Sequence, residues 1–251
     1  MIRIGVDVGG TNTDAVVMKG NKFLGGAKSP TTEDILTGVE NAIQAALVEA
    51  KTSSDSVKVL IIGTTHFVNA LVQRTKLAQT GLIRMCLPSG SSILPFADWP
   101  NSLVSGMKGT YKLIKGGYEM TGSEISQLDH DELISAAREL SNMGCNQIAI
   151  SSVFATVRGD MEQEALEILT KEMPDLSITL SKSIGGMGLL ERENAAIINA
   201  SLRPLAAEVI DSFKLLQKSL NLKCPMFFTR NDGTLIEAKE VVELPVLTFA
   251  C

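Results

Sequence analysis

The chain has 251 residues, of which 45% are hydrophobic, enough for a buried core in one large domain or two smaller ones. Its net charge of −5 argues against nucleic acid as a partner, and no apolar run is long enough to span a membrane. Four widely spaced cysteines and two histidines exclude a zinc-finger type of site. With a first strand that leaves no room for a signal peptide, these features predict a cytoplasmic protein with reduced cysteines.

The first predicted elements are two strands joined by a glycine turn. Apolar residues alternate with other residues over 2–8, and 15–18 read as a second strand. Gly9 and Gly10 lie between them, which is typical of a tight hairpin whose backbone a ligand can approach closely. A short third strand is predicted near 23–27.

Five polar residues crowd this turn. Asp7 and Asp14 offer carboxylates for a hard cation or for water, while Thr11, Asn12 and Thr13 offer hydrogen-bond donors. Successive N–H groups in such a turn can form a concavity that suits phosphate oxygens. An ordinary hairpin is the alternative interpretation, but the density of polar residues favours phosphate binding.

The spacing of the glycines excludes two other nucleotide sites. A dinucleotide fingerprint needs G-x-G-x-x-G between a strand and a helix, and here a strand follows the turn. The Walker pattern G-x-x-x-x-G-K-[ST] is absent from the sequence. The turn instead resembles the first phosphate loop of the actin-like ATPase superfamily.

A helix and a buried strand follow the hairpin. Apolar residues at helical spacing predict a helix that begins at Thr31 or Thr32 and runs to residue 50. Residues 57–63 are almost all apolar, which is typical of a strand inside a parallel sheet. Three strands, a helix and another strand is the order of an RNase H-like fold.

The segment after this strand carries the next candidate site. Thr64, Thr65 and Asn69 follow the strand end, where α/β sheets tend to bind ligands. Two roles stay open for them, contact with the substrate or bracing and capping of the next helix. His66 is either a general base or a surface residue at the helix start.

The remaining elements alternate between strand and helix after an irregular stretch. A strand is predicted at 78–85, followed by the irregular residues 87–127, which include a strand-like 110–115 and are interpreted as an excursion or flap. Further elements are a helix from Asp129 to Gly144, a strand at 147–154, a helix capped by Asp160 and ended by Pro174, a strand at 176–180, a helical stretch at 189–220 that bends or breaks near Pro204, and strands at 224–229 and 246–250. Because an apolar strand seldom ends a protein uncovered, we expect the chain to be a fragment.

These motifs together resemble the N-terminal half of the hydantoinase A/5-oxoprolinase family, within the actin-like ATPase superfamily. Residues 5–14 fit the opening G-[VI]-D-x-G-G-T-x-T-D of that family. Further segments follow in the family's order: Lys28-Ser29-Pro30-Thr31, Gly63-Thr64-Thr65, Asn69-Ala70-Leu71, residues 189–199, Leu202-Arg203-Pro204 and Asn231-Asp232-Gly233-Thr234-Leu235. Asn12 and His66 depart from it, since oxoprolinases usually carry an aromatic residue and valine there.

The resemblance implies an ATP-dependent hydrolase that opens a cyclic amide of the hydantoin or 5-oxoproline type by phosphorylating its carbonyl oxygen. It implies ATP and Mg as cofactors, with Asp7 as the magnesium ligand through water and Gly9–Thr13 as the phosphate loop. Asp14 either orients the attacking water or pins the hairpin. A sugar or small-acid kinase and a noncatalytic subunit are the alternatives.

The resemblance also predicts how the chain is organised. The expected regions are an RNase H-like phosphate-loop region at 1–86, the excursion at 87–127, a βα subdomain at 128–187, and a long helix with closing strands at 188–251. The second ATPase domain and second phosphate loop are expected after residue 251, so the chain alone is expected to be inactive. A second hydantoinase-type subunit is an expected partner, and apolar surface around 246–249 is expected to favour homo-oligomers.

Overall fold

The computed structural model describes residues 1–32 and 35–249 and has a mixed α/β fold. In chain order the elements are β1 (Ile2–Val8), β2 (Asn12–Lys19), β3 (Lys22–Pro30), α1 (Ile35–Glu49), β4 (Val57–Thr64), α2 (His66–Gln73), β5 (Thr80–Leu87), α3 (Asn101–Gly106), β6 (Thr110–Lys115), α4 (His130–Asn142), β7 (Gln147–Ser152), α5 (Asp160–Glu172), β8 (Ser177–Leu180), α6 (Leu189–Ser219), β9 (Met226–Thr229), β10 (Leu235–Glu237) and α7 (Ala238–Glu243). Within the described ranges, none of the helices combines the length and apolarity that a bilayer span needs. The chain divides into two compact units, residues 1–73 with 204–251 and residues 74–203.

The first unit is built on a six-stranded sheet in the order β10-β9-β4-β1-β2-β3. β1 is antiparallel to β2 and parallel to β4, which is in turn parallel to β9. Ile4, Val6 and Val8 are buried on the face that α1 covers with the apolar side of its helix. The predicted RNase H-like arrangement, with β1 central and the hairpin beside it, is therefore confirmed.

Two predicted boundaries in this unit are wrong. Thr31 and Thr32 precede α1 rather than begin it, because Thr31 hydrogen-bonds the glycine turn; residues 33–34 lie outside the described residues. Residues 245–248 form a 3₁₀ turn instead of the predicted strand at 246–250, of which residue 250 also lies outside.

The apolar residues of that turn are buried by other means than a sheet. Val246 is 9% exposed, and its carbonyl accepts a hydrogen bond from the Asn231 amide. Leu247 accepts another from the Asn231 backbone N–H. Val246 and Thr248 are buried, whereas Leu244, Leu247 and Phe249 are partly exposed, so the apolar surface at this turn is smaller than a strand left uncovered would present.

The second unit is built on a parallel sheet in the order β6-β5-β7-β8, with α4 and α5 packed on one face. The predicted strand at 110–115 and the capping of α4 by Asp129, which accepts from the Glu132 N–H, are confirmed. β5 belongs to this sheet, whereas the sequence analysis grouped its residues with 1–86. Parallel strands pair with residues that are far away in the sequence. The local sequence around β5 therefore does not show which sheet it joins.

A buried polar network lies at the carboxyl ends of β5, β7 and β8. Arg84 and Glu193 form a bidentate ion pair with N–O distances of 2.7 and 2.5 Å, and both are almost fully buried. Glu162 accepts hydrogen bonds from the Ser181 hydroxyl and from the backbone N–H groups of Ser152 and Lys182. Burial raises the pKa of Glu162 although these three donors favour its charged form.

One prediction in the helices is corrected, and one of two alternatives is excluded. Gly159, not Asp160, is the N-cap of α5; Asp160 is the first helical residue and pairs with Arg158. The long helix was expected to bend or break near Pro204, and a break is excluded because Pro204 lies inside a single helix of 31 residues.

Candidate functional site

The candidate site lies in the first unit, where β1 and β4 end side by side. The two strands are parallel, so their carboxyl ends meet at one edge of the sheet. Asp7 pairs in register with Gly63, and Val8 with Thr64. The glycine turn after β1 and the start of α2 after β4 are thereby brought together.

The glycine turn presents free backbone donors. The Gly9 N–H donates to the carbonyl oxygen of Asn12 at 3.0 Å, which closes the hairpin. Among the described residues, none accepts a hydrogen bond from the backbone N–H of Gly10 or Thr11, and both residues are exposed. Two neighbouring exposed N–H groups are suited to an anion such as a phosphate.

The turn is held in shape from β3. The Thr31 hydroxyl donates to the carbonyl oxygen of Gly9 at 2.9 Å, and its N–H donates to that of Thr11 at 2.9 Å. The Thr13 hydroxyl is 3.3 Å from the Thr31 hydroxyl, and Thr13 is 0% exposed. Thr13 therefore braces the turn from inside the protein, and its hydroxyl does not face solvent.

The two aspartates of the motif face each other but have different surroundings. Asp7 and Asp14 are direct partners across β1 and β2, and the Asp7 side chain is exposed. Asp14 instead forms an ion pair with Lys28, whose Nζ is 3.3 Å from its Oδ1. Lys28 was not identified as a site residue because its position opposite Asp14 depends on the register of β2 and β3.

The residues at the start of α2 contact β1 and one another. The Thr65 hydroxyl donates to the Val8 carbonyl oxygen at 3.4 Å and accepts from the Asn69 amide at 3.2 Å. The Thr64 hydroxyl, which is buried, accepts from the His66 backbone N–H at 3.2 Å. The His66 ring is half-buried and packs edge-on against Phe67. These contacts fix α2 beside the end of β1.

An open cavity of about 360 Å³ lies on the sheet face opposite α1. Asp7 and Asp14 line it together with Gly63 and Thr229, the last residue of β9. Thr229 was missed from sequence; its signal is its place at the end of a buried parallel strand, which is visible only once β9 is known to lie beside β4.

The donor set suits magnesium better than metals that need a protein cage. No group of three or more His, Cys, Asp or Glu side chains capable of holding a metal occurs among residues 1–32 and 35–249. Mg²⁺ keeps several waters and is usually bound through one or two carboxylates and substrate phosphates. The exposed Asp7 carboxylate beside a phosphate-type turn fits that mode.

The sequence and the fold are similar to those of known proteins. The family model of the hydantoinase/oxoprolinase N-terminal region matches residues 3–173. The chain is 25% identical to caprolactamase subunit alpha of Pseudomonas jessenii over 253 residues, which cover 93% of this chain and 36% of that protein.

Two solved structures share the fold over nearly the whole chain. Nucleotide-free acetone carboxylase superposes with a TM-score of 0.76 at 18% identity, covering 98% of this chain and 38% of the other. The ATP-dependent caprolactamase from Pseudomonas jessenii superposes with a TM-score of 0.72 at 22% identity, covering 94% and 36%. The chain thus spans little more than a third of the length of these relatives.

Proposed function

We propose a function from the premise that this chain belongs to the hydantoinase/oxoprolinase family, whose N-terminal model matches most of it. In this proposal the chain is the N-terminal part of an ATP-dependent hydrolase that opens a cyclic amide of the hydantoin or 5-oxoproline type. The observation that carries this proposal is the exposed glycine turn, with its two available N–H donors, beside the Asp7 carboxylate.

The residues of the turn have different roles in binding. Gly10 and Thr11 supply backbone donors to phosphate oxygens, Gly9 and Asn12 close the turn between them, and Thr13 and Thr31 hold it in shape. Asp7 holds Mg²⁺ through its water shell, and ATP supplies the phosphoryl group that activates the carbonyl of the cyclic amide.

Asp14 and the α2 residues act on the substrate side. The Asp14 carboxylate forms an ion pair with Lys28, and its oxygens are acceptors that can orient the attacking water. Thr64 is buried and supports the loop; Thr65, His66 and Asn69 are partly exposed and are the residues of this group that a substrate can reach.

The partner is proposed from the relatives. Caprolactamase has a protein named subunit alpha, and this chain is similar to it. We therefore propose that the complete protein works with a second subunit of the same family and binds a small cyclic amide. Homo-oligomers remain a proposal too, without support from the residues at 244–249.

The test is phosphate release from Mg-ATP by the complete protein with its partner subunit, in the presence of hydantoin, 5-oxoproline, ε-caprolactam or simple sugars. Ring opening with phosphate release supports the hydrolase, and a phosphorylated product identifies a kinase. Absence of turnover in a folded protein identifies a noncatalytic subunit.

The Asp7→Asn variant tests whether the activity depends on this site. We expect it to lower kcat by about 100-fold or more, the scale for losing an electrostatic group that acts in the transition state. Asp211→Asn, on the exposed side of α6, is the matched control and should stay within about twofold of the wild type. Equal activity of the two variants would contradict the assignment.

A further inference from the structure

Gly63 is unusual because neither its backbone nor its surroundings require glycine. It lies in β4, and its φ is outside the left-handed region that favours glycine. Glycine inside a strand is less stable than alanine there, because it loses more backbone conformational freedom on folding. Where a strand keeps one without a conformational need, a ligand or another backbone often approaches closely.

There is room for a side chain at this position in the absence of a ligand. A Cβ placed on Gly63 would be 3.4 Å from the Thr229 hydroxyl oxygen, 3.6 Å from the Asp7 Oδ1 and 3.7 Å from the Val6 carbonyl oxygen. These are ordinary van der Waals distances, so an alanine fits without displacing its neighbours. The missing methyl group therefore leaves part of the cavity floor bare.

The atoms that surround this bare floor indicate the ligand chemistry. All three nearest neighbours are oxygens, and one belongs to the exposed carboxylate of Asp7. An oxygen-lined, electronegative position suits a group that donates a hydrogen bond and disfavours a phosphate oxygen. The glycine turn therefore suits an acceptor such as a phosphate oxygen, whereas the position beside Gly63 suits a hydrogen-bond donor of the ligand.

We propose that Gly63 is a specificity-determining position, kept bare so that a hydrogen-bond donor of the bound ligand reaches the backbone beside Asp7. The donor is the ring N–H of the cyclic amide or a water of the nucleotide-bound cation. This inference rests on the proposed function, because it takes the same cavity to be the reaction site.

Gly5 provides a comparison within the same cavity. It lines the same cavity two residues before Asp7 on the same face of β1. A Cβ there would meet only the Val16 side chain at 3.4 Å, away from the oxygen-lined floor. Gly5→Ala and Gly63→Ala therefore add the same methyl group to neighbouring strands in different chemical surroundings.

The experiment measures kcat/KM of the complete protein for the cyclic amide, together with the melting temperature of each variant. Gly63→Ala is expected to lower kcat/KM by about 10- to 100-fold, the effect of a misplacement of about 1 Å. Gly5→Ala, which adds a methyl group to the same cavity away from the three oxygens, should lower kcat/KM less than Gly63→Ala does, and the remote Asp211→Asn should stay within about twofold of the wild type. Neither glycine variant should melt below the wild type. A Gly63→Ala variant with wild-type kcat/KM would overturn the proposal.

A second measurement keeps the inference separate from the proposed function. The amide resonances of Gly63 and Gly5 in the ¹⁵N-labelled 251-residue chain are followed during titration with MgCl₂ alone and with hydantoin, 5-oxoproline or ε-caprolactam alone. A shift of Gly63 but not Gly5 supports the proposal, and the titrant that causes it identifies the donor. If the wild type turns over no cyclic amide, the proposed function fails while this titration still decides the role of Gly63; no shift with any titrant overturns it.

Discussion

Thr31, the residue directly after β3, holds the glycine turn in shape. Its side chain and backbone each donate a hydrogen bond to the turn, to Gly9 and to Thr11. The same hydroxyl lies next to that of Thr13, so the brace continues into β2. Donors aimed at a phosphate are effective when they are held in place before the ligand arrives.

Thr31→Val should loosen the turn without changing the shape of the side chain. The Gly9 carbonyl loses its donor, and we expect the free energy of unfolding to fall by about 1 kcal/mol. The KM for ATP of the complete protein should rise, because the turn is less well ordered before binding. Ser29→Ala, whose hydroxyl makes only a long 3.5 Å contact with Pro30, is the control. An unchanged KM in Thr31→Val would show that the brace is not needed.

The pKa of Tyr118 is shifted well above the ordinary value for tyrosine. It is buried beneath the Arg158 guanidinium, which lies 4.5 Å from the ring centroid. Burial raises the pKa of Tyr118 to about 12, and the hydrogen bond and charge of Asp160 add to the shift. Since the folded pKa exceeds the ordinary tyrosine value of 10.0, the contribution of Tyr118 to the free energy of unfolding is complete below pH 10 and is lost as the pH rises through 12.

The tyrosinate absorbance of a Tyr111→Phe variant tests this, because the chain has two tyrosines and the variant keeps only Tyr118. The folded variant should titrate with a midpoint near 12, and the urea-unfolded variant near 10. Adding Asp160→Asn should lower the folded midpoint. A folded midpoint near 10 would refute the burial of this phenol.

At the scale of elements, the ion pair of Arg84 and Glu193 connects β5 with α6 inside the second unit. Burial alone would lower the pKa of Arg84, but the hydrogen bond and charge of Glu193 outweigh it and raise the value. Removing one partner leaves a buried charge without its counterion, which typically costs about 3–5 kcal/mol. Replacing both partners with apolar residues of similar size removes that penalty.

We therefore expect Arg84→Met to destabilise the second unit by about 3–5 kcal/mol and the double variant Arg84→Met/Glu193→Leu to be more stable than Arg84→Met. The fluorescence of Trp99 during urea unfolding reports on this unit, because it is the chain's single tryptophan and packs near Leu82 and Ala149. Lys112→Met, which breaks the more exposed pair with Glu139, should cost less than about 1 kcal/mol. A double variant less stable than Arg84→Met would contradict this account.

The sequence could predict those features that depend on residues close together in the chain. Alternation of apolar residues predicted β1, and the continuous apolar run at 57–63 predicted β4, whereas the register between the strands is known from the structure. The pairing of Asp14 with Lys28 depends on the register of β2 and β3, which shifts at Val17/Met18. The nearness of Thr229 to Gly63 depends on β9 and β4, which are distant in sequence, so no local pattern shows it. The strand predicted at 246–250 failed because Asn231 binds the carbonyls of Val246 and Leu247, a contact between residues that are far apart in the chain.

At the scale of the whole molecule, the share of the relatives that this chain covers bears on its activity. The chain spans 36% of caprolactamase subunit alpha and 38% of the acetone carboxylase chain. The printed sequence contains one D-x-G-G-T turn, at Asp7–Thr11, and the donors of that turn are exposed to solvent. Exposed donors compete with water for a phosphate, so each adds only about 0.5–1.5 kcal/mol.

We therefore expect the 251-residue chain by itself to bind Mg-ATP with a Kd of about 1 mM or weaker and to show no turnover. A millimolar Kd corresponds to about −4 kcal/mol, which a few solvent-exposed hydrogen bonds can supply, whereas a micromolar Kd needs about twice that free energy. Calorimetry gives the measurement, and Asp7→Ala should change this weak binding little while abolishing turnover in the complete protein. A low-micromolar Kd for the chain alone would show that one turn suffices, because no second phosphate loop would then be needed to enclose the nucleotide.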